Sequence, residues 1–368
     1  MPKIKILFIA LEFKYWAQAR HWSYCVQLGF EEGFRENGVE CFTVPSMWLP
    51  RIKEICSGKK FDQVWVEIVN NKIDESLFEW LVEIAPIRVG LIGESLEYAR
   101  EDYEIYPVLK ERRSFVEKRF KYLTHIVAID ENDADRINKN NVPLKAMWLP
   151  SAVPKRFILE KTPCTSPKKY GAFIGDIYYP RSIWLNSPEL KGLLVKQTSL
   201  DDYTPYPYLF NALHFFTQLF IKCRLPAAKH TLLIIYLPCL RYIRIHLFKL
   251  WLKSLQKNIA VVNLPSLVKA YPGRVVEGMA AGRIVISWNI PNRPHNERLF
   301  TDGKEILLYS NDDRQQLAEH IRSVITDPDL ADTIVSNARN KILQFHTMEK
   351  RVNQILEWIE KGESAEYT

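Results

Sequence analysis

Short β-branched apolar runs alternate with helix-length segments along most of this chain, and that alternation leaves few folds open. In the first half the runs are 5–10, 40–44, 63–69, 88–92 and 125–129. Segments of helical period separate them at 17–36, closed by Gly38, and at 74–84 and 106–122. A strand, a helix and another strand in succession build a parallel sheet, because the helix must carry the chain back to the starting edge. Such crossovers are right-handed, so helices come to cover both faces. A second series begins at 170–174, ends that strand on Gly175, and continues through 259–263, 284–287 and 305–308, with helices at 274–281 and 313–326. Between the two series, 147–157 holds Pro150 and Pro154, and the polar stretch 161–169 holds Pro163 and Pro167. Proline among polar residues reads as an interdomain connection.

The expected architecture is therefore α/β, with two Rossmann-like layers of parallel sheet facing a central cleft. The boundaries are 1–155 for the first layer and 156–345 for the second, with a closing helix in 346–368 that packs back on the first. A length of 368 residues accommodates both. In open α/β sheets, ligands sit outside the carboxyl ends of the strands, so the cleft is the expected site.

Composition removes several other classes. Apolar residues make 47% of the chain, which excludes wholesale disorder. The six cysteines, Cys25, Cys41, Cys56, Cys164, Cys223 and Cys239, form no C-x-x-C pair, and none lies near a histidine at metal-ligand spacing. Neither a disulfide framework nor a zinc site is expected, and the thiols suit a reducing compartment. The apolar run 6–11 is too short for a secretory signal, and no uncharged apolar stretch reaches the roughly 18 residues of a membrane span. The expected location is the cytoplasm.

The net charge of +7 is unevenly placed. From Tyr203 to Val276 there is no Asp or Glu, while ten Lys or Arg fall there, so the remainder is net acidic. One region carries the positive field and calls for a negative partner. Within 240–257, Leu240, Ile243, Leu247, Leu250 and Trp251 recur at helical spacing, with His246, Lys249, Lys253 and Lys257 on another face. The 209–222 segment adds Phe215, Phe216 and Phe220. A basic amphipathic helix can lie in an anionic membrane surface, so 209–257 reads either as a peripheral membrane contact or as packed helices with solvated lysines. No nucleic-acid module accompanies it.

The strongest chemical signal is the strand-loop-helix-turn-strand unit over 263–287. Tyr271, Pro272, Gly273 and Arg274 open its helix. Free N–H groups at a helix start suit a diphosphate, and Arg274 adds a fork-shaped cation there. Glu277 follows about one turn later, where a carboxylate can accept bonds from both hydroxyls of a ribose. Gly278, Ala280 and Ala281 allow close packing, and Gly282 ends the helix.

The run from Arg274 to Gly282, then 296–305 ending in Asp302, Gly303, Lys304 and Glu305, resembles the C-terminal domain of group 1 GT-B glycosyltransferases, closest to the branch related to spore-maturation proteins. Phe173, Ile174 and Gly175 with Arg181, and His346 with Thr347 before the last helix, recur in the same order. The resemblance covers about 170–358. It implies the two-domain GT-B fold and a retaining, metal-independent transfer of a sugar from a UDP- or GDP-linked donor, with no cofactor. Polysaccharide biosynthesis is the implied setting, with a glycan or lipid-linked acceptor. It assigns Glu277 to the ribose and Gly175 and Arg181 to the diphosphate, and it brings His295, Asn296 and Glu297 near the sugar. The partner of Glu277 in the family's Glu-x7-Glu pair falls at Lys269, which would serve instead as a phosphate contact. That departure, and the lack of a glycine-rich turn after the first strand, keep open a second reading: a non-catalytic GT-B protein of envelope or coat assembly.

The acceptor side should come from the first layer. Its candidates are carboxylates at strand ends: Glu12, Glu94 and Asp130. Either of the latter two could take the acceptor proton. Two Asp-x-Asp triplets, Asp133 to Asp135 and Asp327 to Asp329, each precede or open a helical pattern, where acidic residues favour the helix start.

Overall fold

The computed structural model describes residues 3–10, 28–69, 73–140, 143–158, 166–175, 177, 179–197, 205–363 and 366–367. Glu12, Cys25, Cys164 and the 17–27 part of the expected first helix lie outside the described residues.

Both expected sheets are present, and every strand pair is parallel. The first has the order β2-β1-β3-β4-β5-β6. Its strands are β1 Lys5–Ala10, β2 Glu40–Pro45, β3 Gln63–Glu67, β4 Ile87–Ile92, β5 His125–Ala128 and β6 Lys145–Trp148. The second has the order β11-β10-β9-β7-β8. It comprises β7 Lys168–Ile174, β8 Leu194–Gln197, β9 Asn258–Asn263, β10 Ile284–Trp288 and β11 Leu307–Tyr309. The central strands are almost wholly buried on both faces, as sheets covered by helices on both sides require, and the edge strands β2, β6 and β8 are part-buried. In each sheet the first strand sits between the second and the third. That is the topological switch point, where a crevice opens above the strand ends.

Several local expectations change. The segment 106–122 is not one helix: Val108–Glu117 is helical, capped by Pro107, and Phe120–Tyr122 is a separate 3₁₀ turn, while Arg100–Ile105 is a further helix upstream. Residues 147 and 148, read as connection, belong to the edge strand β6. The helical pattern expected at the second triplet is the helix Pro328–Phe345, with Asp327 accepting from the Leu330 N–H at 3.0 Å, while the strand β8 was not anticipated. The other triplet opens the helix Glu131–Asn140, so both acidic triplets stand at helix starts.

The closing helix Met348–Lys361 returns to the first layer. Val153 and Thr347 form a parallel bridge, and the buried Arg351 donates to the Pro150 and Phe345 carbonyls at 3.0 and 2.8 Å. This helix packs on Leu28–Glu36 so closely that a Cβ on Gly33 would lie 2.8 Å from the Met348 carbonyl oxygen. Only glycine permits that approach.

Between β8 and β9 the chain inserts a helical hairpin. Tyr206–Lys222 runs out, and a continuous helix, Ala228–His230 through the π-helical stretch Thr231–Tyr236 into Leu237–Gln256, runs back. The π-helical stretch directly precedes Pro238, whose missing N–H breaks the regular ladder. This return helix is long and apolar enough by composition to cross a bilayer, which corrects the expectation that none would be. In the structure it is a bridge. Its first half joins the core of the first domain, with Tyr236 against Trp48 at a ring separation of 5.6 Å and Arg241 paired to Glu31 at 2.7 Å, while Phe220 of the outgoing helix meets the same Trp48 at 5.9 Å. Its second half, with Phe248, Trp251, Leu252 and Leu255, joins the core of the second.

Candidate functional site

The residues predicted to meet a diphosphate converge. Gly175 ends β7, Asn263 ends β9, and the helix Gly273–Ala280 starts beside them, so all three meet at the switch point of the second sheet. Arg274 Nη1 donates to Asn263 Oδ1 at 2.9 Å. Arg181, buried at the start of a short helix, donates to the Pro265 carbonyl at 3.3 Å and to Ser266 Oγ at 3.0 Å. Both guanidinium groups lie over the Phe173 ring, at 5.2 Å for Arg181 and 5.5 Å for Arg274. The ring fixes the two cations on one spot through cation–π attraction. Gly175 has φ +147, and a Cβ there would sit 2.9 Å from Arg274 Nη2 and 3.5 Å from Arg181 Nη1. The missing side chain is what lets both cations reach the strand end.

Lys269 joins the same loop. Its Nζ donates to the Ser266 carbonyl at 3.1 Å and lies 5.3 Å from the Trp288 ring centre. Burial lowers its affinity for the proton, partly offset by Asp102. Glu277 is almost fully buried, and its Oε2 accepts from Trp251 Nε1 at 3.0 Å. The carboxylate predicted to hold a ribose is thus fastened by the helical insertion, a partner the motif did not reveal.

His295 and Asn296 part company. The His295 ring faces Trp148 at 5.7 Å and lines a separate cavity with Asp135, Asn138 and Tyr367, so it is not brought to the arginines. Asn296 is buried, its Oδ1 accepts from Tyr271 N–H at 3.4 Å, and its Nδ2 has no protein partner among the described residues.

The opposite wall is made of carboxylates, and they differ sharply. Asp130 is fully buried in a two-pronged pair with Arg293 of the other domain, at 2.5 and 3.0 Å. It also accepts from Ser95 Oγ at 2.6 Å and from Asn132 N–H at 3.1 Å. Its oxygens are committed to holding the two domains together, so a proton-accepting role does not fit its surroundings. Next to it, Glu131 accepts the N–H groups of His295 and Asn296 at 3.1 and 2.7 Å. Ser95 Oγ receives the Lys269 backbone N–H at 2.8 Å. These contacts form a polar latch across the cleft. Asp133 turns inward to the Leu96 N–H at 2.7 Å, and burial pushes it up to about 7. Glu94 is half-exposed and pairs with Arg112.

A cavity of about 220 Å³ lies between the walls. Leu91, Gly93, Val127 and Ile129 line it from the first sheet, and Pro272 and Gly273 from the start of the second-domain helix. Among the described lining residues the acidic one is Glu67, at the end of β3. Burial, with the charge of Glu94 beside it, pushes Glu67 up to about 8. Sequence reading missed Glu67, although it carries the same signal as Glu94 and Asp130: a carboxylate closing an apolar strand.

Residues 251–357 match a family model described as glycosyl transferase-like. No curated protein matches the chain by sequence. Among solved structures, TarM aligns with a TM-score of 0.52 at 13% identity, over 85% of this chain and 57% of that one, so this chain spans little more than half of TarM. A glycosyltransferase from Rickettsia africae ESF-5 aligns at 0.52 and 11% identity over 99% and 100% of the two chains. HepE of Anabaena, solved in complex with UDP and glucose, aligns at 0.52 and 12% identity over 97% and 100%. At these identities the likeness speaks for the fold, and the fold is GT-B: two Rossmann-like domains on a shared cleft.

Proposed function

We propose that the chain moves a sugar from a nucleoside diphosphate donor to a glycan or lipid-linked acceptor. The observation that carries this reading is the convergence of Arg181 and Arg274 on Gly175, at the start of the helix Gly273–Ala280. As the bond from the anomeric carbon to the diphosphate breaks, negative charge gathers on the leaving oxygens. Fixed cations and helix N–H groups aimed at that charge lower the barrier without reorganising. With Lys269 in the same loop, three cations are available, and the transfer needs no metal in this reading. Glu277 would accept from the ribose hydroxyls while Trp251 steadies its second oxygen.

Across the cavity, Glu67 would handle the acceptor proton. With its pKa pushed up to about 8, the group is mostly protonated at neutral pH and would then donate a hydrogen bond to the bound sugar; only the fraction that has already released its proton to solvent could take the acceptor hydroxyl proton as a base. Retention of configuration and the spore-maturation-like branch rest on the motif resemblance. UDP and GDP are the donors to try first. Titrating the protein with each in the presence of EDTA tests the reading. Binding of one nucleotide class, lost in Arg274→Ala and Arg181→Ala, supports it, and binding of neither sinks it.

A second reading has one observation in its favour. Lys269 stands where the family holds a sugar-binding Glu, and its side chain is held against Ser266 and Trp288. A non-catalytic GT-B protein would bind the nucleotide and never turn it over. Donor hydrolysis by the purified protein, abolished in Arg274→Ala, would exclude that.

A further inference from the structure

The sequence pattern offered the Leu240, Ile243 and Trp251 face for a membrane, but that face is buried against the two domains. What remains outside is a different surface. Tyr208, Phe215, Phe216 and Leu219 form a stripe along Tyr206–Lys222, with Phe215 61% and Phe216 65% exposed. On the return helix Ile234, 63% exposed, is joined by Ile235 and by Tyr242 two turns on. The helices lie side by side, with Tyr206 against Tyr242 at 6.2 Å and against His246 at 5.0 Å. Their inward residues, Phe210, Leu232, Tyr236 and Leu240, are already used in packing. A paired-helix face with this many exposed aromatic and aliphatic groups exceeds the scattered apolar residues of an ordinary surface.

Charge says what fits it. Lys222, Arg224 and Lys229 are exposed at the tip of the hairpin, and no Asp or Glu occurs anywhere from 203 to 276. A second copy meeting this face would set those cations against the same cations, since the hairpin carries no carboxylate and Glu54, beside its tip, is paired with Arg51, which donates to the Leu225 carbonyl. A plane of lipid phosphates over a hydrocarbon layer answers both features at once. Phosphates meet the tip cations, acyl chains receive Phe215, Phe216 and Ile234, and Tyr208 and Tyr242 suit the headgroup depth.

We propose that the hairpin face docks the protein on an anionic phospholipid bilayer, lying on the surface. It does not cross, because 39% of the most apolar stretch of the return helix is buried in the protein and both halves of that helix are built into domain cores. Since the hairpin grips Trp48 of one domain and supplies Trp251 to the other, docking would fix both walls of the cleft relative to the membrane. The proposal does not depend on the transferase reading.

The test is co-sedimentation with unilamellar vesicles, of phosphatidylcholine alone or with about 30 mol% phosphatidylglycerol, in low and high salt. Binding should require the anionic lipid and weaken at high salt. The Phe215→Ser/Phe216→Ser/Ile234→Ser variant should lower the vesicle partition coefficient at least about tenfold, since each buried apolar side chain contributes to interfacial binding. The Lys222→Glu/Arg224→Glu/Lys229→Glu variant should lower it as much while leaving every apolar group in place. All six side chains are exposed, so thermal melts should match the unchanged protein. Three results would overturn the proposal: no binding to anionic vesicles at low salt, equal binding to neutral ones, or well-folded variants that bind undiminished. A concentration-dependent dimer in sedimentation velocity, lost in the serine variant, would assign the face to a second copy instead.

Discussion

The two walls of the cleft are built from opposite charges, and they obey different rules. On the second-domain wall Arg181, Arg274 and Gly175 meet because a strand end, a loop and a helix start within one stretch of fold bring them together. On the first-domain wall two carboxylates stand at the ends of β3 and β5, either side of β4 in one sheet, yet their environments diverge. Asp130 faces Arg293 and is held by four hydrogen bonds. Glu67 faces an apolar cavity and a like charge, and is pushed up to about 8. Burial beside another acid favours the neutral form of Glu67. The cationic wall is thus set by local sequence, and the acidic wall by what the other domain places opposite it.

The sharpest way to break the comparison is to remove the carboxylate that faces Arg293 across the cleft. Asp130→Ala leaves Arg293 buried without its counter-charge, and stability should fall by roughly 3–5 kcal/mol. Chemical denaturation measures it. A loss below about 1 kcal/mol would mean that the latch is solvated and the contrast between Asp130 and Glu67 is overstated.

On the cationic wall, Arg274→Ala should lower kcat/KM for the donor by on the order of 10²–10³, the scale for losing one fixed group that stabilises a developing anion. Initial rates with the donor identified by titration would read it. The Asn263 Oδ1 it leaves behind is buried and loses a donor at about 1–3 kcal/mol, so a thermal melt of the variant accompanies the rates. Unchanged kcat/KM would detach the arginine cluster from the diphosphate.

Glu67→Gln probes the acidic wall through pH. With a folded pKa of about 8 against an ordinary 4.5, the folded state keeps a proton that the unfolded chain gives up. Stability from this group is complete below about 4.5 and declines as pH rises through about 8. Glutamine mimics the protonated form at every pH. The variant should therefore match the parent near pH 4.5 and exceed it by roughly 1–3 kcal/mol near pH 8–9. Melts across that range check it, and a variant that is less stable at pH 8 would show that the Glu67 carboxylate is needed ionised.

How much of this was legible beforehand follows from the same contrast. The unit 263–287 announces itself locally: Pro272 and Gly273 open the helix, Gly282 closes it, and Arg274 stands at its start. The parallel sheets were equally readable, since period and turn residues are local properties. What escaped depended on distant partners. The short β6 is a strand because β5 pairs with it, and nothing within Lys145–Trp148 outweighs the proline that follows. The 240–257 helix shows an apolar face in sequence, but which face meets solvent was decided by the first domain packing against it. Asp130 looked like a base because Arg293 lies 163 residues away.

Glu277 is where the two rules meet, and Trp251→Phe tests which one governs it. The residue sits in the motif that local sequence defines, but its hydrogen bond comes from the insertion. Phenylalanine keeps an aromatic ring but removes the N–H together with part of the buried indole volume, so the cost of about 1–3 kcal/mol for the lost donor adds to a cavity cost that no ligand recovers. If Glu277 belongs to the donor site, ribose hydroxyls can replace that donor, and adding the nucleotide should recover the donor's share of the lost melting temperature. A 2′-deoxynucleotide, with one hydroxyl fewer, should recover less. If both nucleotides stabilise the variant and the parent by the same increment, Glu277 is a core group fastened by Trp251, and the cationic wall ends at Arg274.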